Sequence, residues 1–478
     1  MAPSVVFDIG RVPSARSVRE GVQDDGAPWR IVVVGDFSGR PAAQRPPLAE
    51  RLGLRVEVDN LDAVFARIAP EVEIAGLADR AGEPLRIALA SLDDLTADAL
   101  LGRLPEPSAA PAPAPVPPAA TEEDDAATLR RLLGGSVAPG APAVAASAAS
   151  PAAAANDLIE GFIRQVVGTA PEGASAPRPP GAGADEAHAA LLRRVLRDPA
   201  WRQLEAAWRA VDRFVREVDM DDGRIRLELL DGRADELLSD LLAAGGDAQR
   251  SGLAPALAGD GRGCALVVSL EEFGPGVSEL ALLGGLAAQA AAHGAALLAG
   301  AAPALAALAT IDDPAIAGTP QARAWHALRA SALAAHVGLT FPRLLARLPY
   351  GPRQDPVAAF PFDELADLAA DAVPGGLAWR SAALDAAGVL AKSDADDAEE
   401  GAAGGELADL PAYVDRRGDE PTLTPVAERW LAGQEAARLA AAGFIVLQSD
   451  RRRPVARIAA LRSIALDGTP LATRLPGD

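Results

Sequence analysis

Between residues 105 and 155 the chain carries ten prolines set among alanines, in runs such as PEPSAAPAPAPVPPAA and APGAPAVAASAASPAAAA. A stretch so poor in large apolar side chains cannot bury enough surface to offset its ordering entropy, so it reads as a disordered or polyproline-like linker. The sequence therefore reads as two modules, about 1–104 and 156–478, joined by a tether that holds a short helical island at 122–133. A helix-like piece follows at 156–167. A second stretch of linker character lies at 172–185, and the acidic, glycine-rich SDADDAEEGAAGGE at 393–406 reads as a solvated loop. At 478 residues the length suits about three domains and allows a buried core without disulfides or metal.

The formal net charge is −21. That argues against nucleic-acid grooves and anionic membrane surfaces, both of which recruit positive charge. Lys392 is the one lysine, so nearly all the basic residues are arginines. The single Cys264 excludes a disulfide framework or a multi-cysteine metal site and suits a reducing compartment. The N-terminus lacks the basic region and apolar run of a signal peptide. No charged residue falls between Glu279 and Asp312, but that stretch is rich in Ala and Gly and is broken by Gly294 and Pro303. It reads as a buried helix, a turn at Gly294, a short strand and a loop, with no membrane insertion. These features predict a soluble cytoplasmic protein.

The front piece alternates strands and helices. RIVVV (30–34) is a β-branched run of the buried-strand type, and LRVEV (54–58) alternates as a half-buried strand does. Asn60 is placed to cap a helix in which Leu61, Val64, Phe65 and Ile68 share one face until Pro70 ends it. LRIALA (85–90) alternates again, and Ser91 with Asp94 forms a capping-box pattern that opens a helix to 103. This predicts a small α/β module with a mixed sheet.

In the rear piece, Asp198 and Pro199 open a helix whose Trp201, Leu204, Trp208, Val211, Val215 and Val218 make one apolar seam. Strands at 224–230, 264–270 and around AALLA alternate with helices at 234–244 and in the Ala-rich stretch. A later helix stops at Gly443 and runs into the strand GFIVLQ. The pattern predicts an α/β class with a largely parallel sheet and helices on both faces.

No catalytic constellation assembles. GDGRG (259–263) lacks the third glycine of a dinucleotide loop and precedes a strand, so it reads as a turn. GDFSGR (35–40) follows a strand but lacks the lysine and Ser/Thr of a phosphate loop. No nucleophile elbow surrounds Ser38. Cys264 sits in an apolar strand, and His293, His326 and His336 show no paired metal spacing. The expectation is no catalytic, cofactor-binding or metal-binding residues.

Two ordered sets of motifs carry a resemblance. IVVVGDFSGR (31–40) and PPLAERLGLRVEVDNLDAVFARIAPEV (46–72) resemble the small subunit of the bacterial type VI secretion contractile sheath. Asp36, Ser38, Gly39, Asp59, Asn60, Asp62 and Pro70 match its motifs, with Leu61 where a Phe is usual. NDLIEGFIRQVV (156–167), LLRRVLRDPAWRQLEAAWRAVDRFV (191–215), VGLTFPRLLARLPYGPRQDPVAAFPFDE (337–364) and ARLAAAGFIVLQ (437–448) are similar to the large subunit. The residues carried over there are Trp201, Trp208, Pro342, Arg343, Arg347, Pro349, Tyr350, Gly351, Gly443 and Phe444.

The resemblance implies a small subunit fused to a C-terminally truncated large subunit, structural and non-enzymatic. Its implied partners are other sheath subunits or further copies, an inner-tube protein, a baseplate and an AAA+ unfoldase. Leu129, Leu132 and Leu133 on the linker island are a candidate docking stripe for that unfoldase. Tethering puts the two modules at an effective concentration of order millimolar. Two other readings stay open: a non-polymerising adaptor for sheath or unfoldase, and an enzyme of unknown type, such as a nucleotide binder acting through GDFSGR.

Overall fold

The computed structural model describes residues 28–79, 82–105, 182–221, 223–261, 263–311, 313–392, 403–415 and 422–471. The Pro/Ala-rich linker, the helical pieces read at 122–133 and 156–167, and Leu129, Leu132 and Leu133 lie outside the described residues. The described residues up to Pro105 and those from Ala189 onward belong to one compact unit.

One nine-stranded sheet organises that unit. Its front strands are β1 (Trp29–Gly35) and β2 (Leu54–Val56). A separate antiparallel hairpin joins β3 (Glu71–Ala78) to β4 (Pro84–Ala88). From the rear come β5 (Ile225–Asp231), β6 (Leu266–Phe273), β7 (Ala296–Ala301) and β8 (Val337–Phe341). The short β9 (Leu344–Leu345) and β10 (Trp379–Arg380) pair with each other. After them run β11 (Ala403–Leu407), the short pair β12 (Val414–Asp415) and β13 (Thr422–Leu423), β14 (Phe444–Ser449) and β15 (Ala456–Ala460).

The order across the sheet is β11-β15-β14-β8-β7-β6-β1-β5-β2. The strands from β14 to β5 run parallel, and β2, β15 and β11 extend the two sides through antiparallel pairs. The longer helices, labelled in chain order, begin with α1 (Leu61–Ile68), α2 (Ala182–Leu196), α3 (Pro199–Glu217) and α4 (Ala234–Ala244). They continue with α5 (Val277–Ala292), α6 (Pro303–Thr310), α7 (Pro320–Arg329), α8 (Ala383–Ala391) and α9 (Gly433–Ala441). Leu192 and Val195 of α2 share one core with α1, α3, α8 and the β3–β4 hairpin. The other face of the sheet packs α4, α5, α6, α7 and α9. No described helix is long and apolar enough to cross a membrane.

The α/β class stands, with β1 and β2 of the front piece built into the large sheet and only the β3–β4 hairpin apart from it. Ile31 and Val33 face one core while Val32 and Val34 face the other. Successive side chains of a strand point to opposite faces, so β1 is covered on both sides inside this sheet, and a continuous apolar run is what such a strand requires. Several readings need correction. The loop read after the AALLAG strand is the helix Pro303–Thr310, with Pro303 in its first turn, and the helix read from Ser91 to 103 is a 3-10 turn followed by a short helix, Ala97–Leu101. The Asn60 side chain does not cap α1; its Oδ1 accepts from the Glu57 amide at 2.9 Å and closes the preceding turn. The stretch read as linker to residue 185 already contains the start of α2. The end of the acidic segment read as a loop forms β11 on the sheet edge, because its backbone finds partners on β15.

Candidate functional site: the seam between front and rear segments

β1 lies between β5 and β6, pairing Trp29 through Gly35 with Ile225 through Asp231, and Ile31 through Val34 with Leu266 through Ser269. Three polar clusters extend this junction beyond the backbone ladder.

The first is the turn after β1. Asp36 Oδ1 accepts from the Gly39 amide at 2.8 Å and from Arg45 Nη2. The Phe37 and Ser38 amides donate to Asp231 Oδ1, at the end of β5, at 2.8 and 3.0 Å. The Glu71 amide donates to the Ser38 carbonyl at 2.9 Å, which ties the turn to β3. Gly39 sits at φ 65°, where a Cβ would lie 2.5 Å from the Glu71 carbonyl oxygen. Burial raises the Asp36 carboxyl above its ordinary value, against the pull of Arg45. Trp208 Nε1 donates to the Phe37 carbonyl at 3.0 Å, and its ring packs on Phe37 and Phe65. Ser38 has a structural setting: its amide and carbonyl are bonded as above, and its Oγ accepts from the Arg40 amide at 3.5 Å.

The second cluster lies at the PYG motif. Arg347 pairs with Glu205 at 2.7 Å and with Glu364 at 2.7 Å, all three buried. Its guanidinium stacks 4.3 Å from the Tyr350 ring centroid. The Tyr350 hydroxyl donates to the Leu95 carbonyl of the front segment at 3.3 Å, and the Ala358 amide donates to Asp98 Oδ1 at 2.9 Å. Burial alone would raise Glu205, but Arg347 and Arg209 hold its carboxyl below the ordinary value. Burial pushes the Tyr350 hydroxyl up to about 12. The third cluster flanks β1 itself. Arg30 pairs with Glu228 at 2.7 Å, while Arg51 pairs with Glu236 and donates to the Asp231 carbonyl at 2.9 Å.

The other motif residues are spread more widely. Trp201 is buried on the same helical stripe as Trp208. Asp59 and Asp62 are exposed around the start of α1, where a carboxylate suits the helix dipole. Pro342 follows a cis peptide bond, and Arg343 pairs with Glu272 at 3.2 Å and with Glu428. Pro349 and Gly351 are buried beside Tyr350. Gly443, at φ 93°, turns α9 into β14, where Phe444 is buried. Motifs and periodicity do not single out Asp231, Glu205 or Glu364. Glu205 does carry a readable signal: it lies four residues after Trp201 on the apolar side of α3, a place where a carboxylate must find a cation.

Among the described residues no group of His, Cys, Asp and Glu could hold a metal ion. Cys264 is buried. His293, at the C-terminal end of α5, has Nδ1 2.9 Å from the Gln289 carbonyl, and His336 Nδ1 lies 2.9 Å from the Ala295 carbonyl. His326 is exposed on α7.

The family described as EvpB/VC_A0108, tail sheath N-terminal domain (VipB), matches residues 182–465, more than half of the chain. The chain belongs to this tail-sheath family. A second family, described as Type VI secretion system, VipA, VC_A0107 or Hcp2, matches residues 17–108. One chain thus carries both sheath segments, small then large, and the three clusters lie along the line where the two matched segments touch. Type VI secretion system sheath protein TssC1 of Pseudomonas aeruginosa is 31% identical over 183 residues, covering 35% of this chain. The match spans 36%, about a third, of that relative's length.

Proposed function

We propose that the chain is a structural component of a type VI-like contractile sheath in which the small and large subunits pair within one molecule, without enzymatic activity. The observation that carries this is β1: a strand of the VipA-like segment is an interior strand of the sheet built by the VipB-like segment. A strand hydrogen-bonded on both sides and buried on both faces makes the two segments one folding unit, and the linker keeps them at high effective concentration. The Arg30–Glu228 and Arg51–Glu236 pairs bridge the two segments, and the Arg347 cluster lies behind Tyr350, whose hydroxyl reaches the front segment at Leu95. The partners that accompany this reading are other sheath subunits or further copies, an inner-tube protein, a baseplate and an AAA+ unfoldase, in the cytoplasm. Electron microscopy of the full chain, alone and mixed with separately produced sheath subunits, tests it. Tubes, rings or co-assembly are expected; dispersed single particles under every condition would refute the building-block role.

A further inference from the structure

The chain is strongly acidic, yet one edge of its sheet is not. The turn joining β14 to β15 reads Asp450, Arg451, Arg452, Arg453, Pro454, and the residues from Arg451 to Pro454 are exposed. Asp450 Oδ1 accepts from the amides of Arg452 and Arg453 at 2.8 and 3.2 Å, which holds the tip in one shape. Arg451 lies 4.3 Å from the centroid of Trp430, a ring 37% exposed, and Arg457 follows on β15 with a side chain 69% exposed. Among the described residues, the carboxylates that pair with this group are Asp450 and Glu406, the latter 3.6 Å from both Arg453 and Arg457. Positive charge is therefore in excess here, and an exposed tryptophan among arginines is the composition of a protein-binding hot spot.

The complementary charge is present in the same sequence. Residues 394–400, DADDAEE, hold five carboxylates in seven positions and lead into β11. β11 pairs antiparallel with β15, Ala403 opposite Ala460 and Leu407 opposite Ala456. Ala403, the end of the edge strand that follows the acidic run in sequence, is therefore remote from the arginine turn, about 13 Å along the strand at roughly 3.3 Å per residue. A chain whose sequence carries a basic turn after one strand and an acidic run before another is complementary to a copy of itself placed head to tail, and such heterologous contacts repeat. We propose that the arginine turn, with Trp430, receives the acidic run 394–400 of a second copy of this chain. The proposal rests on the sheath reading and names a surface by which copies meet. Because whole molecules of net charge −21 repel one another, the contact must be local and sensitive to salt.

Sedimentation of the full chain over a range of concentration and ionic strength tests it. Wild type is expected to self-associate at low salt and to dissociate as salt rises. The triple variant Arg451→Glu, Arg452→Glu, Arg453→Glu and the triple variant Asp396→Arg, Asp397→Arg, Glu399→Arg should each associate about tenfold more weakly, or worse, when alone. An equimolar mixture of the two should associate again, because each then offers the charge the other lacks. Unchanged melting temperatures would show that both variants fold. Wild-type association by the arginine-turn variant, or a mixture that stays dissociated, would overturn the proposal. So would a wild type that is monomeric at every concentration, as capture of the run by its own turn would produce. A chain that forms tubes while its turn variants associate normally removes this contact and leaves the sheath reading intact. Charge-swapped association without any tube or co-assembly does the reverse.

Discussion

Glu271 lies near the end of β6, where its Oε1 accepts from Gln203 Nε2 of α3 at 3.0 Å. Burial, followed by the negative charges of Asp36, Glu272 and Asp235 and opposed by Arg233, pushes its carboxyl up from 4.5 to about 7. The folded protein therefore holds this proton more tightly than the unfolded chain does. Stability from Glu271 is fully present below about pH 4.5 and is lost as pH rises through about 7. At about 1.36 kcal/mol per pH unit the loss is of order 3 kcal/mol. Glu271→Gln keeps the shape and stays neutral. Denaturant unfolding of the full chain at a series of pH values should find the variant level with wild type near pH 4.5 and more stable by about 3 kcal/mol at pH 8. A difference that is constant across pH, or one that favours wild type at high pH, would refute the reasoning.

Other substitutions probe the seam separately. Arg347→Met leaves Glu205 and Glu364 buried without their shared cation and should cost about 3–5 kcal/mol in unfolding free energy. Trp208→Phe keeps most of the ring packing but removes the donor to the Phe37 carbonyl; a loss of about 1–3 kcal/mol, read from the denaturation midpoint, is expected. Gly39→Ala forces a Cβ into the backbone of β3 at a positive φ, so its melting temperature should fall by more than that of Gly82→Ala, also at positive φ, where nothing lies within 4 Å of the added atom. Equal effects at the two glycines would show that the Asp36 turn does not hold β3.

What can be read from the sequence follows the range of the interactions involved. The Trp201–Val218 stripe, the Asp198 cap and the glycine stop at Gly443 are decided within a few residues, and they stand as read. The pairing of Ser91 with Asp94 is equally local and is present, but it closes a 3-10 turn, Leu92–Leu95, and the short helix Ala97–Leu101 that follows has its own cap in Thr96. β3 is harder to see, although its Val72 and Ile74 alternate with Glu71 and Glu73, because the pattern starts directly after Pro70. β11 is hidden by its glycines, which are needed there: a Cβ on Gly405 would meet Val389 at 3.0 Å, and one on Gly404 would enter the backbone at Ile458. Least legible is the place of β1. Its apolar run announces burial on both faces but carries no mark of which strands will flank it, and those come from the far side of the linker. The ion pairs behave alike: Arg30 with Glu228 and Arg347 with Glu205 join residues far apart in sequence, which no periodicity connects.

The seating of β1 also sets how the junction bears force. Tension drawn along this strand, against its parallel neighbours β5 and β6, loads both ladders in shear, so their bonds must yield together instead of parting one after another from an end. A molecule joined in this way passes a pull from its front segment to its rear segment through both ladders at once, which is what the proposed sheath role would ask of it.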